Sequence, residues 1–181
     1  MPKRNNGPWL PEALRFLLVF SIAGLLGFTL EFIPWVAQHI ITPFIVGLTW
    51  VAGATIHTFG GLADINQTEI RHPINQFAIQ IAYGCSGVEV SLLLGAGMIA
   101  FPARWVERGV GWLAGTLTIM SINIVRVISL YYIGQYSREW FDWAHLYAWD
   151  VLIIIDGVIA FLLWIRWLPR LSHQYAPNKH S

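Results

Sequence analysis

The chain has 181 residues, 56% of them hydrophobic and only 12% charged, with a formal net charge of +1. That balance is too apolar for a soluble domain of this size and points to an integral membrane protein, and nothing in it suggests nucleic acid as a partner. A single cysteine excludes an internal disulfide framework and leaves one thiol that is either an inert small hydrophobe or chemically active.

The polar segment from Met1 to Pro11 reads as a frayed tail, so residues 1–12 are expected on the cytoplasmic side, ahead of a single domain at 13–168. The first apolar run, 13–36, is interrupted only by Glu31 and closed by Pro34. It meets the roughly 20 residues that a helical span needs, and Glu31-Phe32-Ile33-Pro34-Trp35 lacks the small residues of a signal-peptide cleavage site. A second run, 40–56, is shorter and holds Pro43, Gly47 and Gly53, which suits a re-entrant or interfacial helix as well as a span. Charge placement argues against a full crossing. Without one, Lys3, Arg4, Arg15, Arg104, Arg108, Arg166, Arg170 and Lys179 share one side and only Arg71 and Arg138 lie opposite, in keeping with the positive-inside rule.

Residues 58–76 form a loop rich in Gly, Asn, Asp and Gln. Polar and apolar residues alternate on both sides of His72-Pro73-Ile74-Asn75, with Phe77, Ile79 and Ile81 on one face, which predicts a small extracytoplasmic β-hairpin at about 64–82 leading into Cys85. Such a hairpin packs over helix ends, aims the cysteine, or pairs with an extended substrate strand. Further apolar runs follow at 86–101, 109–133 and 145–168, with Pro102 and Pro169 as stops and Gly95 and Gly97 as small packing residues. The predicted fold class is an all-α integral membrane protein with four transmembrane helices, at about 13–36, 86–101, 109–133 and 145–168. The short apolar helix 40–56 and the hairpin are added to these, and the tail 169–181 returns to the cytoplasm. Ten tryptophans suit interfacial aromatic belts in contact with membrane lipids, or simple lipid-facing packing.

Cys85 lies in Tyr83-Gly84-Cys85-Ser86-Gly87-Val88-Glu89, where a polar loop gives way to an apolar run. Asn123 and Arg126 share a face of the third span. An arginine there costs at least a few kcal/mol on insertion and marks a candidate site. At about 1.5 Å per residue, Arg126 stands roughly 25 Å from Gly109, towards the outer face. Cys85 opens the second span and His145 the fourth at that face, so three helices place Cys, Arg and His at one depth.

Such a set suits acyl transfer. A neighbouring cation lowers a thiol pKa, a histidine moves the proton, and an arginine holds an oxyanion. Asn123 would orient Arg126 or the substrate backbone, and Glu89, one turn below Cys85, is a plausible partner for Arg126. Asp150 lies five residues beyond His145, off its α-helical face, and is not expected to orient it. Each group has a plainer reading: Arg126 with Glu89 as a structural ion pair, His145 as a helix-terminal histidine, Asp156 as packing. His39, His57 and His72 share no metal-ligand spacing, and neither metal nor cofactor is expected.

The ordered set Cys85-Ser86-Gly87, Asn123-x-x-Arg126 and His145, each at the outer edge of an apolar helix, resembles the exosortase/archaeosortase family over most of the chain. The short chain looks like a compact exosortase such as those of the H type, the exact subfamily being left open. The resemblance implies a cysteine transpeptidase of the bacterial inner membrane with its site facing the periplasm. Cys85 would be its nucleophile, Arg126 the transition-state stabiliser and His145 the acid/base, with Asn123, Glu89, Ser86 and Gly87 in support. It also implies protein substrates with a C-terminal motif, a transmembrane helix and a basic cluster, and a glycolipid or polymer acceptor. Val88 replaces the leucine usual after Cys-Ser-Gly. The alternatives are a non-enzymatic scaffold or transporter subunit with Asn123, Arg126 and Glu89 as a polar seam, and a thiol acyltransferase.

Overall fold

The computed structural model describes the backbone of residues 11–174 and side chains as far as residue 168. Most of the expected tails, 1–10 and 175–181, lie outside the described residues. The chain is an all-α integral membrane protein with one small antiparallel sheet. Its helices are α1 (Glu12–Glu31), α2 (Pro34–Val36), α3 (Thr42–Thr58), α4 (Val88–Ala100), α5 (Trp105–Tyr136), α6 (Arg138–Trp143) and α7 (Trp149–Gln174). The strands are β1 (Asp64–Asn66), β2 (Glu69–Arg71) and β3 (Ala78–Gln80). Two π-helical turns, Ala37–Ile41 and Ala144–Ala148, join α2 to α3 and α6 to α7.

Among the described residues four helical stretches are long and apolar enough to cross a membrane: Glu12–Glu31, Pro34–Thr58, Trp105–Tyr136 and Arg138–Leu168. The number matches the expectation, but the set differs in one member. The expected span 86–101 is the 13-residue helix Val88–Ala100, because Gly87 is left-handed at φ 78° and Phe101 is extended, which fixes both ends. The expected short helix 40–56 belongs instead to the 25-residue stretch Pro34–Thr58. The polar Gln38 and His39 had masked its first turns, where the backbone is π-helical. Nor does Pro169 stop α7, which continues to Gln174; a proline near a helix end kinks or tolerates the lost hydrogen bond where solvent can reach the freed carbonyl.

The short α4 is the middle of the bundle, with α1, α5 and α7 packed around it. Leu94, Met98, Ile119 and Trp164 form its buried centre. Gly95 makes room for Trp112 and Gly97 for Phe161, close approaches of the kind that drive helix association where lipid removes any hydrophobic gain. Two indoles are tied to the backbone: Trp112 donates to the Ser91 carbonyl and Trp164 to that of Glu107, each at 2.9 Å. At the N-terminus of α5 the Glu107 carboxylate accepts from the Arg104 amide at 2.9 Å, satisfying one unpaired helix donor.

The sheet lies at the other end of the bundle from Arg104 and Arg108. Its order is β1-β2-β3, all antiparallel, with Ile65, Ile70 and Ile79 aligned across it. The expected hairpin is present as β2 and β3. Residues 64–71, read as one strand, fold into two around Gln67, whose φ of 52° suits a tight two-residue turn. The apolar face of the sheet meets α3 and the last turns of α5 in a second core that includes Ile45, Ile56, Ile70, Val127 and Tyr131. Tyr131 is fully buried and donates to the Leu62 carbonyl at 2.6 Å, which anchors the loop before β1 to α5.

Candidate active site

The loop Tyr83–Gly87 occupies the space above α4, and each turn of it is held. The Cys85 amide donates to the Ala82 carbonyl at 3.1 Å, and the Gly84 amide donates to Glu89 Oε1 at 2.6 Å. Tyr83 reaches across to the first residue of α3, its hydroxyl 2.6 Å from that of Thr42. Ser86 is fully buried and accepts from the Val88 amide at 3.4 Å. Gly87 ends the loop in a left-handed conformation that a side chain would strain. Cys85 in this loop lines a cavity, a setting in which irregular backbone is tolerated beside helices.

Cys85, Arg126 and His145 come together. Arg126 is only 2% exposed, and its Nη2 is the common point: Cys85 Sγ lies 4.0 Å away, His145 Nδ1 3.5 Å and Asp150 Oδ1 3.0 Å. Arginine has no acceptor, so in this contact Nδ1 accepts, which places the proton of a neutral His145 on Nε2. The imidazole stacks on Phe141 with ring centroids 5.7 Å apart. A cavity of about 100 Å³ adjoins the group, lined by Cys85, Arg126 and His145 together with Ile79, Gln80 and Ile81 from the sheet.

Burial raises the Cys85 pKa above its ordinary value; the Arg126 cation works against this, and the Asp150 and Glu89 charges add to it.

Two expectations change. Glu89 does not pair with Arg126; its carboxylate turns back to cap the Gly84 amide, five residues earlier in its own segment. Asp150 takes the arginine instead. The π turn Ala144–Ala148 adds a residue to the helix turn, which brings positions five apart towards one face and lets His145 and Asp150 both reach Nη2. Asn123 is 1% exposed, yet neither of its amide atoms has a partner among the described residues, and the same holds for Arg126 Nη1. Asn123 sits beneath Gly87, on the arginine's side of α5 but not bonded to it. No group of His, Cys, Asp and Glu that could hold a metal occurs among the described residues.

The family model described as transmembrane exosortase (EpsH) matches residues 11–168. The chain belongs to the transmembrane exosortase family. The match runs from the first turn of α1 through the last described side chain of α7, so it takes in every element that builds the thiol cluster. No curated protein and no solved structure matches the chain. Membership in the exosortase family supports a membrane transpeptidase-like role, to which the clustered thiol, guanidinium and imidazole are chemically suited.

Proposed function

We propose that this exosortase family member cleaves exported proteins at a C-terminal sorting signal and passes the product to a surface acceptor, with Cys85 as nucleophile. The observation that carries the reading is the shared approach of Cys85, His145 and Asp150 to one nitrogen of a buried arginine. His145 Nδ1 takes the thiol proton, and the thiolate attacks the scissile carbonyl carbon. Arg126 stabilises the oxyanion as the C–S bond forms. Collapse breaks the C–N bond, His145 returns its proton to the leaving amine, and a thioester remains. An acceptor hydroxyl, amine or water then gives its proton to His145 and attacks the thioester, and the departing thiolate recovers the proton.

The substrate class, a short motif followed by a transmembrane helix and a basic cluster, and a glycolipid or polymer acceptor follow the family resemblance. So does a bacterial inner-membrane setting with the site facing the periplasm, which the basic residues at the far end of the bundle support. In the test, Cys85→Ala and wild type are co-expressed with an exported protein that carries such a signal. Loss of processing by a variant that inserts at wild-type abundance is expected; full processing would sink the reading. An impermeant thiol reagent added to intact spheroplasts should label Cys85, and labelling from the cytoplasmic side alone would overturn the orientation.

A further inference from the structure

The sheet has two edges, and they are treated differently. β1 packs its Ile65 side chain over Gly53 of α3, and none of its residues lines the cavity that holds the thiol. β3 has β2 on one side, and its other side borders the cavity that holds the thiol. The pairing fixes which backbone groups face that side. His72 donates to the Phe77 carbonyl and Ile81 donates to the Thr68 carbonyl, both at 2.8 Å, so the hydrogen-bonded pairs are 72 with 77, 70 with 79 and 68 with 81. By alternation the amides and carbonyls of Ala78 and Gln80 point away from β2. Among the described residues neither main chain has another hydrogen-bond partner.

Exposed edges in soluble sheets are commonly blunted by a charge, a proline or a bulge. The run Phe77-Ala78-Ile79-Gln80-Ile81-Ala82 has no charge and no proline, and its pairing with β2 is regular. Gln80 lines the same cavity as Cys85, Arg126 and His145. An enzyme that attacks a peptide carbonyl has to present that bond in an extended, immobile backbone, and an unpaired strand edge beside the nucleophile supplies what strand addition needs.

We infer that the peptide substrate binds as an added strand on the free edge of β3, its backbone paired with Ala78 and Gln80 so that the next carbonyl lies over Cys85. This rests on the peptidase reading above and adds how the peptide is held. Main-chain pairing secures the segment whatever its sequence, which leaves selection to the side chains that enter the cavity.

The edge can be tested apart from the chemistry. The probe is a pool of extended tetrapeptidyl vinyl sulfones, randomised in sequence, with iodoacetamide as the small thiol reagent; adducts at Cys85 of the purified full chain are read by mass spectrometry. Gln80→Pro deletes an outward-facing amide and places a ring in the pairing plane without removing a bond to β2. It should slow peptidyl labelling about tenfold, the worth of one or two hydrogen bonds, and leave iodoacetamide labelling within about twofold. Gln80→Ala, which removes the same side chain but keeps the amide, should show a ratio of peptidyl to iodoacetamide labelling about tenfold above that of Gln80→Pro. On the wild-type protein, pools N-methylated at alternate amides should differ, one phase labelling more slowly than the other; this arm does not depend on a variant's folding. Undiminished peptidyl labelling of Gln80→Pro, or equal labelling by both N-methyl phases, overturns edge pairing alone. Wild-type protein that reacts with iodoacetamide but with no peptidyl probe defeats the peptidase reading and this inference with it.

Discussion

Asp150 Oδ1 accepts a hydrogen bond from Arg126 Nη2 at 3.0 Å although its side chain is 56% exposed and that of the arginine 2%. The pair thus gives a buried cation a counter-charge from a side chain at the protein surface. Its position depends on the extra residue of the π turn.

The two charges act on the thiol with opposite sign. Arg126 favours the thiolate and Asp150 opposes it. Asp150→Asn should move the pH profile of Cys85 alkylation to lower pH, and Arg126→Gln should move it to higher pH. The rate of iodoacetamide alkylation against pH measures both, and shifts in the same direction would contradict the arrangement.

Inserting one alanine between Ala148 and Trp149, where α7 begins, should rotate everything beyond it by about 100°. Asp150 then leaves Arg126, and the apolar stripe of α7 turns out of register with α4. Replacing Leu146 by Ala changes only a 59% exposed side chain and should cost less than about 0.5 kcal/mol. Thermal unfolding in detergent should show a large loss for the insertion and almost none for the substitution.

At Gly87 a Cβ would lie 3.4 Å from Met120 Cε and 3.5 Å from Ile119 Cγ2, in addition to a φ of 78°. Gly87→Ala should cost about 1–2 kcal/mol through the left-handed backbone. It should also disturb Cys85, two residues away. Gly84→Ala has a similar φ, 86°, but open space, so it should show the strain without the crowding. Melting temperature and Cys85 alkylation, read on both variants, separate the two effects.

A Cβ on Gly134 would overlap the ring of Phe77, which packs against Tyr131 and edge-on to Phe141. Gly134→Ala should therefore push the sheet off α5 and destabilise the fold by about 1–3 kcal/mol. Phe77→Leu in the same chain should restore part of the loss. Equal stabilities for the single and double variants would show that the ring does not set this contact.

The cluster was legible because polar groups in apolar runs are few. Cys85, Arg126 and His145 each interrupt or border such a run, and counting helix rise put them level. Asp150 escaped because its spacing from His145 was judged on α-helical period, and nothing in Ala144–Ala148 announces a π turn. Glu89 stands one turn below Cys85, at a depth that suits Arg126, but the unpaired Gly84 amide five residues before it claims its carboxylate. In the sheet, Ile65 and Ile70 are an odd number of residues apart, so one strand would put them on opposite faces. Their pairing across a hairpin was the alternative that spacing favoured. The length of the Pro34–Thr58 helix was obscured by Gln38 and His39, polar residues in its π turn.

One consequence of the 13-residue α4 concerns the lipid. At about 1.5 Å per residue it rises roughly 20 Å, well short of a hydrocarbon core of about 30 Å, whereas α1, α5 and α7 are full-length or longer. A thicker or thinner bilayer acts on those outer helices, which respond by tilting. The thiol is tied to α4 and α3 through Glu89 and Tyr83, so its depth is set by protein contacts. Alkylation of Cys85 in short-chain and long-chain phosphatidylcholine nanodiscs should therefore proceed at nearly the same rate, a buffering against acyl-chain length that a span of ordinary length in that position would not provide.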